Sequence, residues 1–341
     1  MNTGTERAEL TTTALRPFQI PSRWGSIWQL VNSVVPYFAL WAAMIWAIQI
    51  SYPLTLLLAV FAAAFLVRIF IIFHDCGHGS FFRSRRANDW VGFFTGLFTL
   101  TPHHEWWHNH SIHHANVGNL DKRGVGDIWT MTVAEYRAAS KMKRLRYFLV
   151  RQPLFMLTVG PLIVFIVLQR FPSQASRARE RRSILLANIV LAVVIGALCW
   201  AIGWKAFVAI QLPVLLMAGA GGIWLFYVQH QYEGTYWQKT EKCDFLTAAI
   251  EGSSFYRLPR VLQWFSGNIG FHHVHHLSPR IPNYKLEKCH NAFARLRQVR
   301  PLTLRDSLVS ARLRLWDEEK QQLVGFREAM RRRRHDGAHP A

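Results

Sequence analysis

Acidic residues are scarce in this chain. Twenty Asp and Glu stand against 40 Lys and Arg, a formal charge of +20 over 341 residues. Cysteine is scarcer. Cys76, Cys199, Cys243 and Cys289 are scattered without a CxxC pair, which argues against a disulfide framework and a thiolate metal site. No flavin or nicotinamide glycine fingerprint and no cysteine set for an iron–sulfur cluster is present. No cleavable signal peptide is expected, because the first 30 residues lack a compact apolar core followed by a small-residue cleavage site. Charge is missing altogether from Trp24 to Val67. What is abundant is apolar: 51% of the residues, with 14 Trp and 23 Phe. A basic chain can be a nucleic-acid binder, but here the charge alternates with long apolar segments. The combination points to a membrane protein with a basic aqueous face and no nucleic-acid partner.

A membrane helix needs roughly 20 apolar residues, so the uncharged run holds two, near 33–50 and 53–73, with a turn at 51-SYP-53. Further apolar runs lie near 90–101, 153–169, 184–203 and 206–229. The first is too short to span. A full crossing at 153–169 would put the arginines of 170-RFPSQASRARERRS-183 outside, against the positive-inside tendency. It would also separate the later histidines from the earlier ones. The expected fold is therefore all-α and integral to the membrane. Four transmembrane helices form two hairpins, with two short re-entrant or interfacial segments and a histidine-rich cytoplasmic cap. Both termini are cytoplasmic. Three regions are expected: an N-terminal segment over 1–32, a membrane catalytic domain over 33–300, and a basic tail over 301–341. The tail carries 331-RRRRH-335, either solvated or resting on anionic headgroups.

Most of the 16 histidines fall in three groups. In 74-HDCGH-78, His74 and His78 are four apart and share a helical face. In 110-HSIHH-114, His110, His113 and His114 do the same, and in 272-HHVHH-276 so do His272, His275 and His276. Each group follows an apolar segment. Eight imidazoles at one depth imply metal, because neutral imidazole is the commonest nitrogen ligand for iron, zinc or copper. Eight ligands are too many for one ion and suit two. A zinc protease needs HExxH, and Asp75 stands where the Glu belongs. Structural zinc favours closed tetrahedral sites with thiolates. Two histidine-bound iron ions (Fe2+/Fe3+) at a membrane surface fit oxygen chemistry on a lipid.

These motifs carry a resemblance. The order HxxxH, HxxHH, HxxHH resembles the three histidine boxes of the integral-membrane fatty acid desaturases, over about residues 70–285. The flanks in HDCGH, 113-HHANVGNLDKR-123 and 275-HHLSPRIPNY-284 are similar to the acyl-lipid Δ12 and ω3 types. The resemblance implies a di-iron enzyme that uses O2 and two electrons to place a double bond in a fatty acyl chain. It implies His230, in 228-VQHQYEG-234, as a ninth ligand. Asn268, four residues before His272, either holds a metal-bound water or only shapes a turn between Gly267 and Gly270. His103, His104 and His108 are expected beside the ligands or at the surface, His273 faces away from its neighbours, and His290, His335 and His339 are expected to be exposed. Asp75, Glu105, Asp121, Asp127, Glu233 and Glu251 are candidates to orient ligand imidazoles. Aromatic side chains in 90-WVGFFTGLFTL-100 and 224-WLFY-227 either line an acyl tunnel or face lipid. The family's fused haem domain is missing, since no HPGG occurs. A separate acidic ferredoxin is the implied electron donor, steered by the basic face. Two rival readings stand beside this one. One is a histidine-box hydroxylase or ketolase for carotenoids, sterols or alkanes. The other is a metal transporter, which would need its ligands at the bilayer midplane.

Overall fold

The structure, a computed structural model, describes residues 10–330. The 331-RRRRH-335 run and His339 lie outside the described residues. Helices dominate because an apolar environment offers the backbone no outside partner, and a helix satisfies its own N–H and C=O groups.

Helix α1 (Thr12–Gln19) leads into α2 (Arg23–Ala47), where the Ser22 hydroxyl caps the first turn by accepting from the Gly25 amide at 3.2 Å. Helix α3 (Tyr52–Gly77) follows, with Ser51 at its N-cap and a proline in its first turn, where no amide partner is required. Helices α4 (Arg85–Phe98) and α5 (His103–Asn116) have 14 residues each, too few to span. Helix α6 (Lys141–Val150) precedes α7 (Pro153–Pro161). After Pro161 the helix widens into a π-helical stretch, Leu162–Val167, and closes with a 3₁₀ turn, Leu168–Arg170. Proline lacks the amide that the regular ladder needs there. Helices α8 (Ala178–Ile202) and α9 (Trp204–His230) form a hairpin about Gly203, whose φ of 82° suits glycine.

Five helices are long and apolar enough to cross a membrane: α2, α3, Pro153–Arg170, α8 and α9. The sequence reading had four. The difference is Pro153–Arg170, which qualifies with 18 residues of near-continuous helix, whereas α4 does not. Helices α2, α3 and α9 pack against one another around fully buried Ala59, Ala62 and Ala63. Small residues let helix backbones approach closely where lipid removes the hydrophobic drive.

A cap is built from α10 (Phe245–Glu251), α11 (His272–Leu277) and α12 (Asn283–Ala292). Its core is Ile250, Val274, Leu277, Ile281, Leu286 and Cys289, and burying each large aliphatic contributes about 1.5–3 kcal/mol. Five short strands lock the cap's margins: β1 (Met131–Thr132), β2 (Phe255–Tyr256), β3 (Pro301–Leu302), β4 (Leu315–Asp317) and β5 (Gln322–Val324). Strand β2 runs parallel to β3. Strand β4 sits between β1, parallel with Met131 opposite Leu315, and β5, antiparallel with Leu315 opposite Val324. Much of the 301–330 stretch, expected as tail, is thus structured and attached to the cap.

Candidate metal centre

Helix α3 delivers His74 in its last turn and His78 just beyond it. Helix α5 places His110, His113 and His114 on one side, and α9 ends on His230. A tight turn at Gly267 (φ 54°) and Asn268 (φ 58°) then starts α11, which contributes His272, His275 and His276. The Asn268 carbonyl accepts from the Phe271 amide at 3.0 Å, so Asn268 shapes that turn.

All nine imidazoles converge in two sets. Candidate ligand atoms of His74, His78, His110, His114 and His275 lie within 4.8 Å of one another, as do those of His113, His230 and His276. His272 joins the second set, its Nε2 lying 3.0 Å from His230 Nε2 and 3.1 Å from His276 Nε2. In the first set His114 Nε2 is 3.1 Å from His110 Nε2 and 2.9 Å from His275 Nε2. Each set draws on helices far apart in sequence.

These nitrogens could hold a cation. His113 Nδ1 donates to the Asp127 carboxylate, and His230 Nδ1 donates to the Gly252 carbonyl at 3.2 Å. With those protons committed, both Nε2 atoms present lone pairs, yet they face each other at 3.2 Å. His74 Nδ1 likewise donates to Asp75 at 3.0 Å, which leaves its buried Nε2 without a partner, as is His78 Nε2. Buried polar atoms without partners are costly, and divalent metal would satisfy both sets. Burial first, then neighbouring imidazoles, pushes His78, His110, His114, His272, His275 and His276 well below the ordinary histidine range. They are neutral at pH 7, the form that ligates.

Of the six acids considered as orienting groups, two touch ligands. Asp75 also accepts from the Asn283 amide at 2.7 Å and its side chain at 2.8 Å, joining α3 to α12. Asp127 also accepts from the Gly124 amide at 3.0 Å. Glu105 is buried but bonds Asn109, Ser173 and Ser176. Asp121 takes the Thr240 amide, Glu251 pairs with Arg295, and Glu233 is exposed. The Gly252 carbonyl and Asn283 had no local signal in the sequence.

The other histidines stay outside both sets. His103 is buried against Phe73, His108 Nε2 donates to the Ala175 carbonyl at 3.1 Å, and His104 is half-buried beside Arg179. Asp89, His103 and His104 do converge, but Arg179 lies 4.0 Å from Asp89 and occupies the same corner. His273 Nε2 meets His290 Nδ1 at 3.0 Å. His290 is therefore buried, contrary to expectation. It shares one face of α12 with Leu286 and Cys289, at helical spacing, and that face packs inward.

A cavity of about 700 Å³ opens beside the histidines. His74, His110 and His272 form part of its wall, and Leu66, Phe70, Leu215, Ala218 and Gly222 carry it along α3 and α9. From the 224–227 stretch, Leu225, Phe226 and Tyr227 line it, whereas Thr99 alone does so from 90–100. Trp90 and Phe94 point outward, 63% and 51% exposed.

The sequence model of the fatty acid desaturase family matches residues 50–305. A fatty acid desaturase from Bacillus subtilis is 49% identical over 316 residues, covering 93% of this chain and 90% of its own. The sn-1 acyl-lipid omega-3 desaturase (ferredoxin) of a Synechocystis species is 29% identical, covering 66% of this chain and 63% of its own. The sn-1 oleoyl-lipid 12-desaturase of the same organism is 26% identical, covering 67% and 64%.

Proposed function

This chain belongs to the fatty acid desaturase family, which are oxidoreductases, and from that premise we propose that it desaturates acyl chains carried on membrane lipids. The observation that carries the reading is the gathering of nine imidazoles beside an apolar cavity, with His74, His110 and His272 in its wall. A lipid substrate and a ferredoxin donor are supported by the cyanobacterial relatives' activities and by the +20 charge, which would steer an acidic donor.

We take His74, His78, His110, His114 and His275 to hold one iron ion, and His113, His230, His272 and His276 the other. Iron bound there supplies the redox chemistry that O2-dependent dehydrogenation requires. The balance is two hydrogens from adjacent methylenes, O2, two electrons and two protons, giving one double bond and two waters. The protein's own groups do the positioning. Asp127, Asp75 and the Gly252 carbonyl hold the ring protons of His113, His74 and His230 on Nδ1 and so present Nε2 inward. The apolar walls of α3 and α9 would hold the acyl chain and keep bulk water from the reacting carbons.

The test is the fatty acid profile of a host expressing the chain with a ferredoxin and its reductase. Gas chromatography–mass spectrometry of derivatised lipids is expected to show a new double bond. His113→Ala abolishes it, and His103→Ala leaves a substantial fraction. Equal loss from both overturns the ligand assignment. A new hydroxyl group in place of a double bond overturns the desaturation.

A further inference from the structure

The cavity wall carries one permanently positive side chain, Arg151, and one acid, Asp127. Asp127 is already engaged by His113 and the Gly124 amide. Arg151 is 2% exposed. Its Nη2 donates to Gln231 Oε1 at 2.7 Å and to the Leu313 carbonyl at 3.1 Å. Its Nε and Nη1 are buried with no acceptor. The rings of Tyr227 and Tyr147 flank the guanidinium at 5.0 and 5.9 Å. Among the described residues no carboxylate pairs with it, and half-buried Arg314, of like sign, lies close enough to interact with it.

A guanidinium stays charged at every working pH. Burying one without a counter-charge is costly, and its open donors form a fork suited to carboxylate or phosphate oxygens. Arg151 also stands at the junction of the basic α6 and the apolar α7. We propose that Arg151 binds the anionic group at the head of the lipid substrate, with the acyl chain running from there past His74, His110 and His272. The inference rests on the desaturase reading of this cavity and adds to it the recognition of a charged head.

The test uses the full-length protein in detergent with three probes that share one oleoyl chain: oleate, oleoyl lysophosphatidylglycerol and monooleoylglycerol. Binding is read from thermal stabilisation against probe concentration, with no turnover. At least one anionic probe is expected to bind about tenfold more tightly than monooleoylglycerol, the scale of a charge-assisted hydrogen bond. Preference for oleate identifies a free carboxylate, and preference for the lysophospholipid identifies a lipid phosphate. Arg151→Met abolishes the preference, and Arg151→Lys retains part of it. Equal binding of all three probes, or a preference unchanged in Arg151→Met, overturns the site. Should Arg151→Met not fold, a Lys variant indistinguishable from wild type does the same. Because the fatty acid profile is scored separately, loss of product there overturns the function, while a flat head-group response overturns this site alone.

Discussion

Asp127 joins two jobs in one carboxylate. One oxygen fixes the His113 tautomer, and the other holds the Gly124 amide of its own loop. Asp127→Asn keeps the shape and removes the charge. Metal affinity is expected to fall about 10- to 100-fold, the usual effect of losing a partner behind a ligand. Metal analysis of the purified variant checks this, and full occupancy at limiting iron would contradict it. His103 supports a different expectation. Burial first, then His104 and Arg179, pushes its pKa down to about 3. Below the ordinary value the unfolded state therefore binds a proton that the folded state refuses, and stability falls as pH drops. Between pH 7 and 5 this group alone costs about 2 kcal/mol. His103→Gln should flatten the acid decline of the thermal midpoint, and equal slopes in the two proteins would refute it. At this scale the convergence of the box histidines was legible, because one residue type repeats at helical spacing in each box. The Gly252 carbonyl and Asn283 were not, because any residue has a carbonyl and Asn283 reaches the histidines through Asp75.

Helix α5 is held in register by the loop that follows it. Gly126 has φ 72°, and a Cβ there would sit 2.6 Å from the Asn109 carbonyl and 3.2 Å from the His113 Cβ. Gly126→Ala is expected to cost at least the 1–2 kcal/mol of a left-handed alanine, and to move His113. Gly124→Ala, at φ 125° with no atom within 4 Å of the added carbon, carries backbone strain without the clash. The expected outcome is a lower thermal midpoint for both variants and a larger loss of desaturated product for Gly126→Ala. Elements were read well where apolar runs were long and uncharged. Helix α2 nevertheless begins ten residues before the expected 33, because Ser22 caps it across a stretch that composition left ambiguous. Pro153–Arg170 was harder, since its length admits a span while its flanks oppose one.

Those flanks bear on the topology of the whole molecule. At one end, Arg151 bonds Gln231 and Leu313 of the cap. At the other, Ser173 and Ser176 bond Glu105 of histidine-bearing α5. Both ends of the apolar stretch are thus tied to the cap or to α5, and labelling separates a segment that enters and returns from one that crosses. In a protein whose own cysteines are replaced, Gln174→Cys should resist an impermeant thiol reagent in intact cells, while Lys205→Cys reacts. Labelling of Gln174→Cys from outside would favour five spans. The alternation of charged and apolar segments was legible in the sequence. The parallel pairing of β1 with β4, almost two hundred residues apart, was not, because two-residue strands leave no periodic pattern.

The histidine sets also divide unequally along the chain. Four of the five in the first set, His74, His78, His110 and His114, precede residue 115, and only His275 comes late. In the second set only His113 is early, while His230, His272 and His276 all come after residue 229. As the polypeptide leaves the ribosome, the first set is four-fifths present before the second has more than one member. Biosynthesis thus imposes an order on the pair: most of one pocket's imidazoles exist while the other still awaits the last quarter of translation.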